Sequence, residues 1–146
     1  MDFALQDKVA LITGGSRGIG RSIGLSLAAQ GVHIALCGRT LETLEQTADD
    51  IRALGVKAWP IITDVSKLED IQRFVADAAQ AAGAVDILVN NAVTSQSAPF
   101  DEQSDEDWRY HIDVKLMAYI RSAREVLPHM RARGGGRIIN IGGMTA

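Results

Sequence analysis

The chain has little cysteine, no long apolar run and no excess of positive charge, and each absence excludes a class of protein. Its single cysteine, Cys37, excludes an internal disulfide framework and indicates a reducing cytoplasm. No stretch reaches about 18 consecutive apolar residues, so the sequence predicts no membrane span. The formal net charge of −3 argues against a nucleic-acid partner.

The rest of the composition is that of one globular domain, with 47% hydrophobic and 23% charged residues. Amphipathic helical patterns separate apolar segments of strand length at residues 8–13, 32–37, 56–62, 85–90 and 137–142. Apolar strands alternating with helices are typical of a parallel sheet covered on both faces, with right-handed crossovers. The sequence therefore predicts an α/β fold with a doubly wound sheet of strand order 3-2-1-4-5.

A glycine-rich turn follows the first predicted strand and precedes a helical pattern over residues 21–30. Glycines allow positive φ and let the backbone approach a pyrophosphate, while free N–H groups at a helix start face its charge. A strand, a glycine turn and a helix in this order predict a dinucleotide site. Its candidate cofactor residues are Thr13, Gly14, Ser16, Arg17, Gly18, Ile19 and Gly20.

The longest predicted helix covers residues 104–133 and begins with a capping box formed by Ser104 and Asp107. Its main apolar stripe comprises Trp108, Ile112, Leu116, Tyr119, Ala123, Val126 and Met130. A second, mixed stripe comprises Tyr110, Val114, Met117 and Arg121. A helix that covers a sheet needs one apolar face, so the second stripe predicts a homo-oligomer, a dimer or tetramer, formed through this helix. The alternative is that these are scattered surface hydrophobes.

In combination, the motifs resemble those of the short-chain dehydrogenase/reductase family, in order and along essentially the whole chain. The resemblance lies in the glycine turn, Asp64-Val65, Asn90-Asn91-Ala92 and the strand at residues 136–141. It implies a Rossmann-type fold, a nicotinamide dinucleotide and hydride transfer to or from a carbonyl or alcohol carbon. By the same resemblance, Asp64 and Val65 contact the adenine, and Asn91 and Ala92 line the adenosine ribose. Alternatively, Asp64 caps the helix that begins near Ser66.

The choice between the two nicotinamide cofactors depends on the end of the second strand. NAD-binding proteins place an acid there to bind the ribose 2′-OH, whereas this corner reads Cys37-Gly38-Arg39-Thr40. Arg39 would pair with a 2′-phosphate, and Arg17 adds a second positive charge. The sequence therefore predicts NADP(H) as the preferred cofactor, with NAD(H) possible. The alternative is that both arginines are solvated surface charges.

The catalytic positions depart from the family pattern. Alignment places Gly143 where the family has a serine and Lys115 where it has a helix asparagine. A glycine has no hydroxyl, and Thr145 would replace it only if the loop were shifted. On a helical wheel Lys115 lies at the edge of the apolar face, where it would reach the site, extend into solvent or pair with Asp113.

The family's Tyr-x-x-x-Lys pair is missing from residues 1–146, because Val114 follows Tyr110 and Ala123 follows Tyr119 at the lysine spacing. We therefore expect a single dinucleotide-binding domain that is the N-terminal part of a longer short-chain dehydrogenase/reductase, rather than a truncated module. The predicted function is an NADP(H)-dependent oxidoreductase acting on a small carbonyl or alcohol substrate. The alternatives are a catalytically degenerate nucleotide-binding protein, acting as a sensor or structural partner, or a structural subunit of an active homologue. No metal site is predicted, since the histidines lack ligand spacing.

Overall fold

The computed structural model describes residues 3–94 and 97–143 and contains one five-stranded parallel sheet. The strands are β1 (Val9–Thr13), β2 (His33–Gly38), β3 (Ala58–Ile62), β4 (Ile87–Asn90) and β5 (Arg137–Asn140). Their spatial order is β3-β2-β1-β4-β5, which confirms the predicted doubly wound α/β fold. Every pairing is parallel, so the carboxyl ends of all five strands meet at one edge of the sheet.

Helices cover both faces of the sheet. They are α1 (Gly18–Ala28), α2 (Leu41–Arg52), α3 (Leu68–Ala82), α4 (Asp105–Ile112) and α5 (Ala118–Ala132), with a short 3₁₀ turn at Phe100–Glu102. Ala10 and Ile12 of β1 pack with α1 and α2, whereas Val9 and Leu11 pack with α3 and α5. The strand is therefore apolar at successive positions because both of its faces are buried. No helix within the described ranges is long and apolar enough to cross a bilayer.

A wide π turn at Asp113–Met117 joins α4 to α5, so the helix predicted over residues 104–133 is present as one continuous helical segment from Asp105 to Ala132. The Ser104–Asp107 capping box is confirmed. The prediction that the main apolar stripe lies on the sheet is wrong for its first half, because Trp108, Ile112 and Leu116 are exposed. The residues on the sheet side are instead Val114, Ala118, Ser122, Val126 and Met130.

The π turn itself explains this error. It inserts about one residue without completing an extra turn, so each residue before it is rotated by roughly 100° relative to a uniform helical wheel. That rotation brings Val114, assigned to the second stripe, onto the line of Val126 and moves Ile112 to the outside. Sequence periodicity alone assumes a constant angle per residue and cannot register the insertion.

Asp86, just before β4, joins three parts of the fold. Its Oδ2 accepts a hydrogen bond of 2.9 Å from the backbone N–H of Val9, at the start of β1. Its Oδ1 accepts one of 3.2 Å from Nε of Arg133, which follows α5. Both Asp86 and Val9 are buried, so the Val9 N–H has no access to water as a substitute partner.

Replacing Asp86 by alanine is expected to lower the free energy of unfolding by about 1–3 kcal/mol, because it leaves the Val9 N–H buried without an acceptor. Asp86→Asn is the matched control, since the amide oxygen still accepts from Val9, and we expect it to cost less. Urea denaturation of the two variants measures the difference. Equal losses for both would contradict the role assigned to the Val9 bond.

Candidate nucleotide site

A cleft of about 410 Å³ opens where the carboxyl ends of β1, β2 and β4 meet. Ten of the twelve candidate cofactor residues line it, namely Gly14, Ser16, Arg17, Gly18, Ile19, Arg39, Asp64, Val65, Asn91 and Ala92. The other two, Thr13 and Gly20, are buried behind its floor. The fold thus brings together residues separated by up to about 80 positions in the chain, as parallel strands require.

The Thr13 hydroxyl joins the ends of β1 and β4. Its Oγ1 accepts hydrogen bonds from the backbone N–H groups of Asn91, at 2.9 Å, and Ala92, at 3.1 Å. The Asn91 side-chain amide donates in return to the carbonyl oxygens of Thr13, at 3.2 Å, and Gly14, at 3.1 Å. Asn91 therefore supports the glycine turn from beneath as well as lining the cleft. Asn90 donates to Oδ1 of Asn140 at 2.9 Å and so ties β4 to β5.

The glycine turn leaves no room for side chains at three points, Gly14, Gly15 and Gly20. A Cβ on Gly20 would lie 2.1 Å from the carbonyl oxygen of Gly14 and 2.5 Å from Nδ2 of Asn91. A Cβ on Gly14 would lie 2.9 Å from Cα of Ala92, and φ at Gly14 is +65°. Gly18 has φ +56° with open space around it, so it is needed for its backbone conformation alone.

The start of α1 lacks both a capping side chain and an acidic residue, the groups that usually stabilise a helix N-terminus. Its N-cap residue, Arg17, makes no side-chain capping bond, and its first turn contains no acid. By contrast, α2, α3 and α4 each carry at least one acid in the first turn. The N–H groups at the start of α1 therefore carry a partial positive charge that no carboxylate of the first turn neutralises.

The corner after β2 forms one wall of the cleft, and its exposed Arg39 is the cation of that wall. The hydroxyl-bearing Thr40 and Thr43 line the cleft beside it. Across the cleft, Nη1 of Arg39 donates to the phenol oxygen of Tyr110 on α4 at 3.4 Å. Tyr110, Val114 and Thr43 were not among the candidate residues. The one sequence signal for the first two was the second stripe of the long helix, which we assigned to a partner.

The carboxylate of Asp64 is hydrogen-bonded within its own loop. Its Oδ1 accepts from Ser66 N at 3.0 Å and from the Ser66 hydroxyl at 2.6 Å. Because α3 begins at Leu68 with Lys67 as its N-cap residue, the alternative that Asp64 caps this helix is wrong. The backbone N–H of Asp64 donates to Asp70, and this bond is the main cause that lowers the pKa of the Asp70 carboxyl. Val65 stands beside Asp64 on the cleft wall.

The two catalytic candidates lie outside the lining of this cleft. Lys115 is exposed, and the alternative partner, Asp113, lies 3.7 Å from Arg121 instead. Gly143 is exposed after β5, and a Cβ there would meet nothing within 4 Å. Thr145 lies outside the described residues. Tyr119 has a structural contact, because its hydroxyl donates to the carbonyl oxygen of Ile141 at 2.9 Å, and burial raises its pKa.

Cys37 lies at the end of β2 behind the glycine turn and is fully buried. Burial raises the pKa of its thiol to about 12, so the thiol stays protonated at neutral pH and acts as a small apolar side chain. Across the described residues, no three His, Cys, Asp or Glu side chains come together as a metal-binding group.

Comparison with known proteins places this geometry in a family. A family model described as short chain dehydrogenase matches residues 8–146. The chain resembles gluconate 5-dehydrogenase of Gluconobacter oxydans, with 36% identity over 139 residues that cover 95% of this chain and 54% of that protein. The chain spans about half the length of the curated relatives it matches.

Solved structures agree. The L-sorbose reductase of Gluconobacter frateurii, crystallised with NADPH and L-sorbose, superposes with a TM-score of 0.92 and is 39% identical, covering 96% of this chain and 54% of that one. A metagenomic short-chain oxidoreductase in complex with NADP superposes with a TM-score of 0.90 at 34% identity, covering 97% of this chain and 65% of that one. The chain therefore belongs to the short-chain dehydrogenase family.

Proposed function

We propose that this protein is an NADP(H)-dependent oxidoreductase that passes a hydride between the nicotinamide and a carbonyl or alcohol carbon of a small substrate. The observation that carries the proposal is the cleft itself. The cleft is lined by the N-terminus of α1, which has no side-chain cap, and by the corner after β2, which presents Arg39 and no acid. The relatives crystallised with NADPH and with NADP support the choice of cofactor. NAD(H) remains the weaker ligand in this proposal.

The residues present fit a dinucleotide. The glycine turn provides a floor from which side chains are excluded at Gly14 and Gly20. The N–H groups at the start of α1 would hold the pyrophosphate, because they carry partial positive charge and the turn places no carboxylate beside them. Hydride transfer is chemistry that the nicotinamide supplies when bound. The role of this chain is to bind and orient the nicotinamide.

The corner after β2 fits the 2′-phosphate of NADP(H). Arg39 has no carboxylate partner within the described residues, whereas Arg21, Arg52 and Arg73 each pair with an acid. A guanidinium binds a phosphate through two parallel N–H bonds, and a carboxylate at the same place would repel it. Arg17 lines the same cleft and adds a second cation.

A second candidate function, nucleotide binding without redox activity, is favoured by one observation. The family's serine and asparagine positions hold Gly143 and Lys115, so the hydroxyl and the amide that would act on a carbonyl are missing. In that case the protein would act as a sensor or a structural partner. We rank it second because ten of the twelve candidate cofactor residues line one cleft.

We further propose that residues 1–146 are the cofactor-binding part of a longer oxidoreductase, and that the protein forms a homo-oligomer through the helix at 104–133. The surface for association is the stripe of exposed apolar residues Trp108, Ile112, Leu116 and Ile120. Helical periodicity instead predicted that the second, mixed stripe faces a partner, but Val114 of that stripe is buried.

We expect light scattering to give a dimer or tetramer, and Ile112→Glu to shift the protein toward the monomer.

The cofactor preference is tested at Arg39. We expect Arg39→Asp to weaken NADPH binding by about 100-fold, because it removes a charge-assisted pair and adds a repulsive carboxylate, while NADH binding changes by less than about threefold. Calorimetric titration of both dinucleotides measures the two constants. Arg124→Asp, an equal charge change on the exposed face of α5, is the control and should leave both unchanged. Equal losses for NADPH and NADH in Arg39→Asp would overturn the assignment.

The glycine turn is tested at Gly20. Gly20→Ala forces a methyl group against the Gly14 carbonyl and the Asn91 amide, so we expect loss of dinucleotide binding and a destabilisation of about 3 kcal/mol or more. Gly18→Ala, which meets open space and suffers only the left-handed conformation, should cost about 1–2 kcal/mol. Thermal unfolding and NADPH titration of the pair provide the measurement. A Gly20→Ala variant as stable as Gly18→Ala would refute the packing argument.

The two candidate functions are separated by following NADPH oxidation with a panel of ketones and aldehydes, in the protein that contains this chain. Turnover on any of them supports the oxidoreductase. Tight NADPH binding without turnover on the whole panel favours the nucleotide-binding alternative and excludes the first.

A further inference from the structure

Tyr110 occupies a position that the cofactor motifs do not explain. It lies on α4, and its half-buried ring lines the same cleft as the glycine turn, on the wall opposite the corner after β2. Its phenol oxygen accepts the 3.4 Å hydrogen bond from Nη1 of Arg39, a residue 71 positions earlier in the chain. The contact therefore spans the cleft from one wall to the other.

Arg39 and Tyr110 both keep hydrogen-bond donors that are not engaged in this contact. A phenol that accepts from a guanidinium keeps its own O–H to donate, and within the described residues no acceptor for the Tyr110 hydroxyl is found. Arg39 has five N–H donors, of which this bond uses one, and it forms no ion pair in the same part of the chain. Two groups with spare donors thus converge on one point of the cleft.

The surroundings of this point favour an anion. Thr40 adds a hydroxyl group beside Arg39, whereas the Thr43 hydroxyl donates to the carbonyl oxygen of Thr40 at 3.1 Å. Asp64 is the carboxylate on the cleft wall, and it is held by Ser66 at 2.6 Å and lies 3.9 Å from Nζ of Lys67. A phosphate monoester, with three acceptor oxygens and up to two negative charges, matches a guanidinium and a phenol O–H that face each other.

No residue of α4 is buried, and the helix continues through the π turn into α5. Among the described residues, two side-chain contacts join α4 to the cleft rim, the one from Arg39 to Tyr110 and a 2.9 Å contact between the Thr94 hydroxyl and Nδ1 of His111. A phosphate that accepts hydrogen bonds from both Arg39 and Tyr110 would link α4 to the corner after β2.

We propose that Tyr110 is a selectivity residue of the nucleotide site, whose hydroxyl donates to the same 2′-phosphate that Arg39 binds. The proposal rests on the proposed NADP(H) function and adds to it a specific ligand from the opposite wall. The 2′-phosphate then bridges α4 and the corner after β2. NADH, which lacks this group, gains nothing from Tyr110.

The test is Tyr110→Phe, which keeps the ring and removes the hydroxyl. We expect the Kd for NADPH to rise about tenfold, as for the loss of one hydrogen bond to a charged group, and the Kd for NADH to change by less than about twofold. Adenosine 2′,5′-bisphosphate and adenosine 5′-monophosphate are probes without nicotinamide and should show the same contrast. Calorimetry measures all four ligands.

Tyr119→Phe is the matched control, because it makes the same chemical change in the only other tyrosine of the chain. It removes the bond to the Ile141 carbonyl, so we expect a lower unfolding temperature and an unchanged ratio of NADPH to NADH affinity. Tyr110→Phe should show the reverse, an unchanged unfolding temperature and a reduced ratio. In an Arg39→Ala background, Tyr110→Phe should change the Kd for NADPH by less than about threefold, because the two groups hold one phosphate.

Each remaining result overturns the inference. If Tyr110→Phe weakens NADPH and NADH equally, the residue packs against the shared part of the nucleotide and does not select. If the wild-type protein prefers NADPH and Arg39→Asp abolishes the preference while Tyr110→Phe retains it, this inference fails and the proposed function stands. If the wild-type protein binds neither dinucleotide, both fail together.

Discussion

One threonine hydroxyl supports the part of the molecule on which the site depends. Thr13 Oγ1 takes two N–H donors from the end of β4, and the Asn91 amide returns two bonds to the end of β1 and the glycine turn. All four bonds are buried or partly buried, where an unmade bond costs more than a made one contributes. They fix the spacing of two strands, the path of Gly14 and the space that Gly20 occupies. The floor of the cleft is therefore a consequence of strand pairing, set before any ligand arrives.

The distribution of charge gives that floor its chemical character. The first turns of α2, α3 and α4 contain acids, which stabilise a helix N-terminus, and α1 contains none. At the same edge of the sheet, Arg39 stands where an acid would serve the 2′-OH of NAD. Among the residues that the structure describes, the guanidinium of Arg39 has no carboxylate partner and the first turn of α1 contains no acid. In the proposed function, the phosphates of NADP(H) bind at these two places.

The sequence was informative where the structure is decided locally. Apolar segments and helical periodicity were enough for the five strands and their order, because a parallel sheet with right-handed crossovers has few arrangements. The glycine turn could likewise be predicted from the sequence, because a strand, glycines and a helix follow one another in the chain. The long helix was misjudged because one extra residue in the π turn at Asp113–Met117 rotates everything before it. The contact of Arg39 with Tyr110 was missed for a different reason, because it joins the corner after β2 to helix α4, 71 positions later in the chain, and no local pattern relates the two.

The two positions predicted to replace catalytic residues, Lys115 and Gly143, lie outside the lining of the nucleotide cleft. Gly14 and Gly20 are glycines because neighbouring atoms forbid a side chain. Gly143 is under no such constraint, since a Cβ there meets open space and its φ is not among the positive values. Within the described residues, packing therefore does not require a glycine at position 143. Lys115, exposed within the π turn, is likewise not needed for the core. The fold preserves the means to bind a nucleotide whatever these two positions contribute, so binding and chemistry are free to diverge in this chain.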